Sequence, residues 1–563
     1  MTVNVLIGGA AGQGIDTAAA ILEKILKQAG YHVFTVRDFM SRIRGGHNFI
    51  QIRFGSEPVH SHTHNLDLIL ALNEETISLH QAELSDNGLI VCDSTTHADD
   101  SRLLPLPLNE ISKKLGNPRV AGSVAIGTLM ALFGLSPELA NPVLPSFLNE
   151  KYISINQKAV AEGYKLAQQR WSVPSGSCQD WMILSGNKAL ALGALAAGLK
   201  FYAAYPMSPS TGIMEYLAEQ STHCGIVVEQ AEDEIAAINM AIGASFAGVR
   251  SMTGTSGGGF SLMVEALGLA GITETPLVVV DVQRPGPATG LPTRTEQSDL
   301  KFVVSASQGE FPRLVIAMRH HQDLFYQTIR AFNLAERYQI PVILLSDQYL
   351  ADASATVLPF SLDNLTIETP VQPPEDISDY KRYQITESGV SPRVIPGDPR
   401  FLTTADSDEH DEWGRITESA EVRNQMVDKR MRKLDGLKRE LEEPELIGDE
   451  SCDILLVGWG SMYGPLQEAV ATLNQEGQHH PGCVSALVFS DIFPLPTKRL
   501  THIAGQARLI VNVEQNATGQ IAGLIREYTG LACGRSLLKY DGRQMTGEEI
   551  VAGIRKIREV AYE

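Results

Sequence analysis

Three acidic residues in a row, Glu232-Asp233-Glu234, close a short apolar strand and open a helix whose remaining positions are nearly all small or apolar. A carboxyl group in that setting can complement the positive end of the helix dipole. Turned into a water-poor site, it can instead serve as an acid–base contact. Glu234 has apolar neighbours at i+1 and i+4, and its spacing leaves both readings open. Further on, Ser256-Gly257-Gly258-Gly259 leads into a second helix. Bare glycine amides at a helix start can approach an anion closely. The run lacks the Lys-Ser/Thr ending of a nucleotide P-loop and the spacing of GxGxxG, so alone it is a weak signal. Arg284 ends the apolar run Leu277–Gln283, with Thr293 nearby; its planar donor fork suits a carboxylate, and a structural ion pair is the competing reading. In Tyr205-Pro206-Met207-Ser208-Pro209 the two prolines fix φ and remove donors, so the Ser208 hydroxyl is held at the end of the strand Phe201–Ala204. Ser210 is the better cap for the helix from Thr211.

The segments that must position these groups alternate strand and helix: IVVEQ, AEDEIAAINMAIGASFAG, VRSMTGTS, GGGFSLMVEALGLAGITE, TPLVVVDVQR. Ile235, Ile238, Ile242 and Phe246 fall at helical spacing, and Leu277–Val280 is a continuous apolar run of the kind central parallel strands carry. Short connections between such segments give an α/β layer with a parallel sheet. Ligands in these sheets bind beyond the carboxyl ends of the strands, where Glu229 to Glu234, Thr255–Gly259 and Arg284 lie.

At 563 residues the chain has room for three or four domains. A net charge of −20 disfavours nonspecific nucleic-acid or anionic-membrane binding, yet leaves anionic substrates open to a local cluster of Arg and Lys. The opening MTVNVLIGG has no basic leader and enters a strand directly. The apolar runs Ala121–Leu135 and Ala189–Leu199 fall short of the ~18 residues that span a bilayer. Cys92, Cys178, Cys224, Cys452, Cys483 and Cys533 are scattered with no CxxC, which fits neither a disulfide framework nor a local iron–sulfur ligand set. A reduced, cytoplasmic protein with no cluster or metal of its own is expected.

Along the chain, Val3–Ile7 is a strand and Gly8–Gly14 turns into the helix Ile15–Gly30. The glycines do not fall as GxGxxG and Asp38 comes late, so a tight strand–helix turn is expected rather than a dinucleotide site. His60, His62 and His64 would share a face if extended; no acid or cysteine pattern supports a metal there, and a polar edge or loop is expected. Phe302–Ser305 and Arg313–Ile316 read as edge strands, and Ile340–Asp347 as a strong apolar one. Residues 360–450 hold several prolines, the acidic run Asp406–Glu412 with His410 (read as a solvated loop) and a helical seam of Val422, Met426, Met431, Leu434, Leu437 and Leu441. That seam reads as an interdomain strut. The α/β rhythm returns with Ile454–Val457, Val484–Phe489 and Leu509–Val513.

Tyr205–Gly212, then EDEIAA…GAS.AG, TSGGGFSLMVEALGLA, E.P.VVVDVQR.GP.TGLPT and EQSDL, resemble in order the α subunit of 2-oxoacid:ferredoxin oxidoreductases. The likeness is strongest to the 2-oxoglutarate type, which has a γ domain fused ahead of the α domain. The resemblance implies three doubly wound α/β domains: a γ domain over 1–176, a thiamine pyrimidine-binding domain over 177–360 and a transketolase C-terminal-like domain over 451–563, with 361–450 a charged connection bearing a long helix. It implies oxidative decarboxylation of a 2-oxoacid, or the reverse, with coenzyme A as cosubstrate and ferredoxin as electron partner. Thiamine diphosphate would be shared with a β subunit that holds Mg2+ and a 4Fe–4S cluster, in an αβ or α2β2 assembly. Glu234 matches the thiamine glutamate; Ser256, Gly257 and Gly258 would lie against the cofactor. Tyr205, Ser208, Arg284 and Thr293 would face substrate or coenzyme A. The family commonly has Thr where this chain has Ser208. Arg44–Asn48 matches an RGG stretch that either shapes the subunit interface or approaches coenzyme A. Pyruvate, branched-chain and arylpyruvate enzymes are the nearest alternatives, though the last usually carry C-terminal cluster cysteines that this chain lacks. A non-catalytic scaffold of the same fold is a further alternative, against which the retention of Glu234, Ser208 and Arg284 argues.

Overall fold

The computed structural model describes every residue except 41–45, 364, 370–371, 373–379, 477–482 and 563. Arg44 and Gly45 of the RGG stretch therefore lie outside the described residues. The chain forms two compact units, Met1–Ser185 with Asp352–Pro359, and Gly186–Ala351 with Phe360–Glu563.

The first unit is built on an eight-stranded sheet in the order Leu103–Leu106, Leu84–Asp93, Leu66–Ala71, Thr2–Ala10, His47–Gly55, His32–Asp38, Ser354–Val357, Met182–Ser185. It is parallel as far as Thr2–Ala10 and antiparallel beyond it. Alternation sends Val3, Val5 and Ile7 into a large core against the helix Ile15–Gln28, and Leu6 into a smaller one on the other face. The strand after that helix, His32–Asp38, runs in the same direction as Thr2–Ala10, with the antiparallel His47–Gly55 between them. Residues 11–14 join strand to helix, the tight connection expected from the glycine spacing. The helices Ala121–Leu132 and Glu150–Tyr164 touch backbone to backbone: a Cβ on Gly127 would stand 2.0 Å from the Val160 carbonyl oxygen, and one on Gly163 1.9 Å from that of Val124. His60, His62 and His64 lie outside any strand, and no group of three metal-ligating side chains occurs among the described residues. Met182–Ser185 and Ser354–Val357 pair with each other on this sheet, so the chain up to Ser185 stays with the first unit, past the expected boundary at 176.

The second unit carries two sheets. The seven-stranded one runs Asp491–Phe493, Leu314–Ala317, Pro341–Asp347, Leu277–Gln283, Ser251–Thr255, Phe201–Ala204, Val227–Gln230. It is parallel apart from its first strand. The five-stranded one runs Glu445–Ile447, Val484–Phe489, Ile454–Trp459, Leu509–Glu514, Arg535–Leu538. One core joins both, with Val279 and Ile343 from the first and Leu455, Trp459 and Leu487 from the second. Phe302–Ser305, read as a strand, falls in the helix Leu300–Val304 and its C-cap Ser305: Leu300 and Val303, three apart, are its buried positions, and that helical period overrides the β-propensity of the valines.

The seam of the helix Ala420–Leu437 is also rotated from its expected face. Its buried side is Met426, Lys429, Arg430, Lys433 and Leu437, while Val422, Met431 and Leu434 are half-buried. A buried acid causes the rotation. Glu274 is fully enclosed and receives Lys429 Nζ at 2.5 Å and Lys433 Nζ at 2.6 Å. Lys433 Nζ also donates to the Gln339 carbonyl at 3.0 Å, and Arg382 donates to that of Glu274 at 2.8 Å. Burial would raise the Glu274 carboxyl, but the charges of Lys429, Lys433 and Arg382 outweigh it and hold it well below the usual carboxylate range. In the acidic run, Glu409 is claimed by Arg430 at 2.7 Å and Arg423 at 2.5 Å. His410 is buried with its ring 4.1 Å from that of Tyr383. These two residues of the expected solvated loop are structural. No helix among the described residues is long and apolar enough to cross a membrane.

Removing one member of a buried ion cluster strands the others. Glu274→Gln is expected to destabilise the chain by about 3–5 kcal/mol in urea unfolding. Replacing Glu274, Lys429 and Lys433 together by Met should recover most of that loss. A single-variant loss below about 1 kcal/mol would mean that water or rearrangement satisfies the two lysines.

Candidate active site

The strands Phe201–Ala204, Val227–Gln230, Ser251–Thr255 and Leu277–Gln283 are mutually parallel neighbours, so their carboxyl ends meet along one edge. The loops leaving that edge carry Tyr205 and Ser208, Glu234, Ser256–Gly259, and Arg284 with Thr293. All of the residues singled out in the sequence of this sheet therefore lie at one end of it, as the ligand rule for such sheets requires.

The three consecutive acids divide. Glu232 is exposed. Asp233 is the N-cap of the helix Glu234–Phe246, its carboxylate accepting the Ala236 N–H at 2.7 Å. Glu234 points inward and is only 3% exposed, and its Oε1 has no hydrogen-bond partner among the described residues. Room for that carboxyl comes from the neighbouring helix Gly257–Ile272: a Cβ on Gly259 would stand 2.4 Å from Glu234 Oε1 and 2.1 Å from Thr255 Oγ1. Thr255 Oγ1 in turn lies 3.8 Å from Met207 Sδ. The sequence placed Thr255 at the carboxyl end of its strand and Met207 in the loop after Tyr205, but gave neither a role.

The first turn of the Gly257 helix is occupied on two sides by carboxylates of the chain itself. A Cβ on Gly257 would meet Asp299 Oδ2 at 2.3 Å, while Gly258 is exposed, its nearest neighbour the Ala288 carbonyl at 3.7 Å. Asp299 thus stands on the Gly257 side of this turn and Glu234 on the Gly259 side, while the Gly258 side is open. Ser256 is the N-cap residue without a capping side-chain bond, and its buried Oγ has no partner among the described residues.

Arg284 is half-buried, and its Nη1 donates to the Ser208 carbonyl at 2.6 Å. Burial lowers its pKa and the nearby charge of Asp299 opposes that. Ser208 and Tyr205 are exposed, Tyr205 by 41%. Their loop is pinned from below by Ser210 Oγ donating to the Met207 carbonyl at 2.7 Å and by Asn187 donating to that of Pro209 at 3.1 Å. Ser210 thus occupies the N-cap of the helix Thr211–Cys224 without capping it through its side chain, because its hydroxyl is turned back into the loop. Thr293 is half-buried, and its Oγ1 accepts from Arg294 at 3.4 Å.

Across 99% of its length the chain is 34% identical to the 2-oxoacid:ferredoxin oxidoreductase subunit alpha of Sulfolobus sp, covering 97% of that protein. The chain belongs to the 2-oxoacid:ferredoxin oxidoreductase α-subunit family. It is an oxidoreductase subunit. Residues 192–429 match the family described as pyruvate flavodoxin/ferredoxin oxidoreductase, thiamine diP-bdg, and residues 4–166 match pyruvate ferredoxin/flavodoxin oxidoreductase. Among solved structures, the 2-oxoglutarate:ferredoxin oxidoreductase from Magnetococcus marinus, with 2-oxoglutarate, coenzyme A and succinyl-CoA bound, superposes with a TM-score of 0.93 at 32% identity over 99% of both chains. The 2-oxoglutarate synthase subunit KorA of Methanothermobacter marburgensis is 32% identical over 65% of this chain and 96% of its own length. The match described as thiamine diphosphate-binding contains Glu234, Ser256–Gly259 and Arg284, so the family's thiamine domain and the buried, unpartnered carboxyl coincide.

The two glycines give a contrast that tests this packing. Gly259→Ala forces Glu234 or Thr255 to move and is expected to cost about 1–3 kcal/mol in thermal or urea unfolding. Gly258→Ala has open space and should be neutral or stabilising by up to about 1 kcal/mol. Equal effects at the two positions would mean that Glu234 is not held where the structure has it.

Proposed function

We propose that this chain is the α subunit of a coenzyme A-dependent enzyme that oxidises 2-oxoglutarate to succinyl-CoA and CO2, passing two electrons to ferredoxin, or runs the reverse reductive carboxylation. Thiamine diphosphate is shared with a β subunit in an αβ or α2β2 assembly. That subunit supplies the Mg2+ and diphosphate site and a 4Fe–4S cluster. The observation that carries this reading is Glu234 Oε1, buried, unpartnered and facing the glycine turn. A buried carboxyl oxygen left without a donor costs stability unless a ligand satisfies it, and a pyrimidine ring nitrogen does. A scaffold would have no need to retain that cost.

Thiamine diphosphate, when bound, supplies the electron sink for decarboxylation. Glu234 would hold the proton at N1′ of the aminopyrimidine, and its burial beside Gly259 would place that contact at low dielectric. Arg284 spends one nitrogen on the Ser208 carbonyl and keeps its other donors for a substrate carboxylate. Ser208 and Tyr205, exposed on the loop that Arg284 reaches, meet the substrate or coenzyme A, with Thr293 in the loop after Arg284. Ser256, Gly257 and Gly258 line the cofactor from the helix start, through the open side at Gly258. The choice of 2-oxoglutarate rests on the full-length likeness to the Magnetococcus enzyme.

Assay of the complex assembled with its β subunit, against a panel of 2-oxoacids with coenzyme A and a low-potential dye, is expected to favour 2-oxoglutarate; preference for pyruvate would overturn that substrate. The isolated chain should be colourless and inactive. Glu234→Gln should retain cofactor in the complex yet slow H/D exchange at thiamine C2 by about 10²–10⁴. Wild-type exchange in Glu234→Gln, with slow exchange in Glu232→Gln or Asp233→Asn, would assign the role to the wrong carboxylate. Arg284→Lys keeps the charge but loses the fork, and should raise KM for the oxoacid roughly tenfold or more; unchanged kinetics would make Arg284 structural.

A further inference from the structure

Between the strand Leu277–Gln283 and the helix Leu300–Val304 the chain runs without a regular element. A connection this long inside a compact unit is held by specific contacts or not at all. Its near end is Arg284. Its middle passes the open side of the glycine turn, where the Ala288 carbonyl is the nearest neighbour of a Cβ on Gly258, at 3.7 Å. Its far end closes on the same turn: Asp299 Oδ2 would stand 2.3 Å from a Cβ on Gly257, and the Asp299 N–H donates to Gln283 Oε1 at 3.1 Å. Whatever fixes this loop also fixes what stands over the turn.

The hold comes from the five-stranded sheet. From Ile454–Trp459 the chain goes to Val484–Phe489 on one side and then to Leu509–Glu514 on the other, all three parallel. The crevice beyond the carboxyl ends of Ile454–Trp459 and Leu509–Glu514 is therefore a switch point, where sheets of this kind bind ligands. Here Gln297 fills it, with 0% exposure. Its Nε2 donates to the carbonyl of Trp459, the last residue of one strand, at 3.0 Å. Its Oε1 accepts the N–H of Gln515, the first residue after the other, at 3.3 Å. Its backbone N–H donates to the Gln515 carbonyl at 2.7 Å, and its own carbonyl accepts from Asn516 Nδ2 at 3.1 Å. Gly460 leaves the room, since a Cβ there would stand 3.1 Å from Gln297 Nε2. On either side, the Thr295 N–H donates to the Gly542 carbonyl at 3.3 Å and Gln520 Nε2 to the Ser298 carbonyl at 2.7 Å.

We propose that Gln297 is a positioning residue, seated as an internal ligand in the crevice of the five-stranded sheet, which fixes the loop 284–299 over the glycine turn and so sets how the 2-oxoacid is held. This rests on the reading of Arg284 and Thr293 as substrate residues. A glutamine suits the task because one planar amide offers a donor and an acceptor at once, and here they reach the ends of two different strands. A hydrocarbon side chain of the same length would take a partner from each of two backbone groups in a buried place. The loop then has one position to occupy, two residues from the acid that packs on Gly257.

Gln297→Met removes both side-chain bonds at nearly unchanged volume. In the complex assembled with the β subunit, KM for the 2-oxoacid is expected to rise about tenfold, as two hydrogen bonds of ordinary net strength can supply. H/D exchange at thiamine C2 should stay at the wild-type rate, because Glu234 is untouched. Gln297→Glu is the conservative variant: protonated, it keeps a donor and an acceptor; ionised, it loses the donor. Its KM relative to wild type should be raised at about pH 8 and fall back towards one at about pH 5.5, burial favouring the protonated form. A merely structural glutamine would lower kcat and stability and leave that ratio flat with pH. In the full chain alone, amide hydrogen exchange over 285–299 should quicken about tenfold or more in Gln297→Met, with 278–282 unchanged. Loop exchange at the wild-type rate overturns the clamp. Faster loop exchange with a wild-type KM overturns its effect on substrate. A complex that turns over no 2-oxoacid overturns the proposed function and that effect with it, while loop exchange alone decides the clamp. Should Gln297→Met not fold, the pH dependence of Gln297→Glu decides.

Discussion

How near a carboxyl group can come to the first turn of the Gly257 helix is the constraint on which the candidate site depends. That turn presents amide groups and the positive end of a 16-residue helix. Any side chain at Gly257 or Gly259 would fill the space that Asp299 and Glu234 occupy, with Cβ clashes of 2.3 and 2.4 Å. Burying an acid is unfavourable unless something compensates it. Glu234 Oε1 and Asp299 Oδ2 have no hydrogen-bond partner among the described residues, and the missing Cβ atoms are what leaves room for them at the helix end. The apolar residues of the same helix, Phe260, Met263 and Leu267, are buried in the core that joins the two sheets of this unit, so the turn cannot drift away from the acids. The position of the carboxyls is thus set by core packing some turns distant.

Much of this was legible in the sequence, for identifiable reasons. The continuous apolar run Leu277–Val280 could only be a central strand, and Arg284 at its end followed from that. The neighbours of Glu234 left its role open, and the likeness of the EDEIAA motif to the family singled it out. Other features were concealed by the same patterns. Asp281 is one polar letter in an apolar strand, and alternation alone cannot say that it is enclosed with neither oxygen hydrogen-bonded among the described residues. The Ala420–Leu437 helix misled because hydrophobic periodicity assumes that lysines face water, whereas Glu274, far off in sequence, draws Lys429 and Lys433 inward. Phe302–Ser305 misled because β-branched residues in a short run carry no length from which to tell helix from strand.

Close approach at glycine serves two ends in this fold. In the first unit, Gly127 and Gly163 let two helices meet backbone to backbone, and in the second Gly193 does the same, a Cβ there lying 2.4 Å from the Phe325 carbonyl oxygen. Gly257 and Gly259 instead face carboxyl oxygens. The residue type is the same; what differs is whether the atom brought near can bind a proton. Glycine at a helix start therefore becomes informative only when an acid is also available to fill the space.

The row Glu232-Asp233-Glu234 carries this argument to its end. Successive residues at a helix start leave the axis about 100° apart, so three adjacent acids cannot share one environment. Asp233, extended at the N-cap, is taken by the Ala236 amide; Glu232, before it, stays in water; Glu234, the first residue with helical geometry, is turned into the core against Gly259. Because the cap is already supplied by Asp233, Glu234 is not needed to satisfy the helix end, and its Oε1 is left without a donor among the described residues. Moving the cap by one residue would engage Glu234 with the backbone and leave nothing for a ligand. The separation of capping from chemistry therefore rests on the aspartate before Glu234 as much as on Glu234 itself.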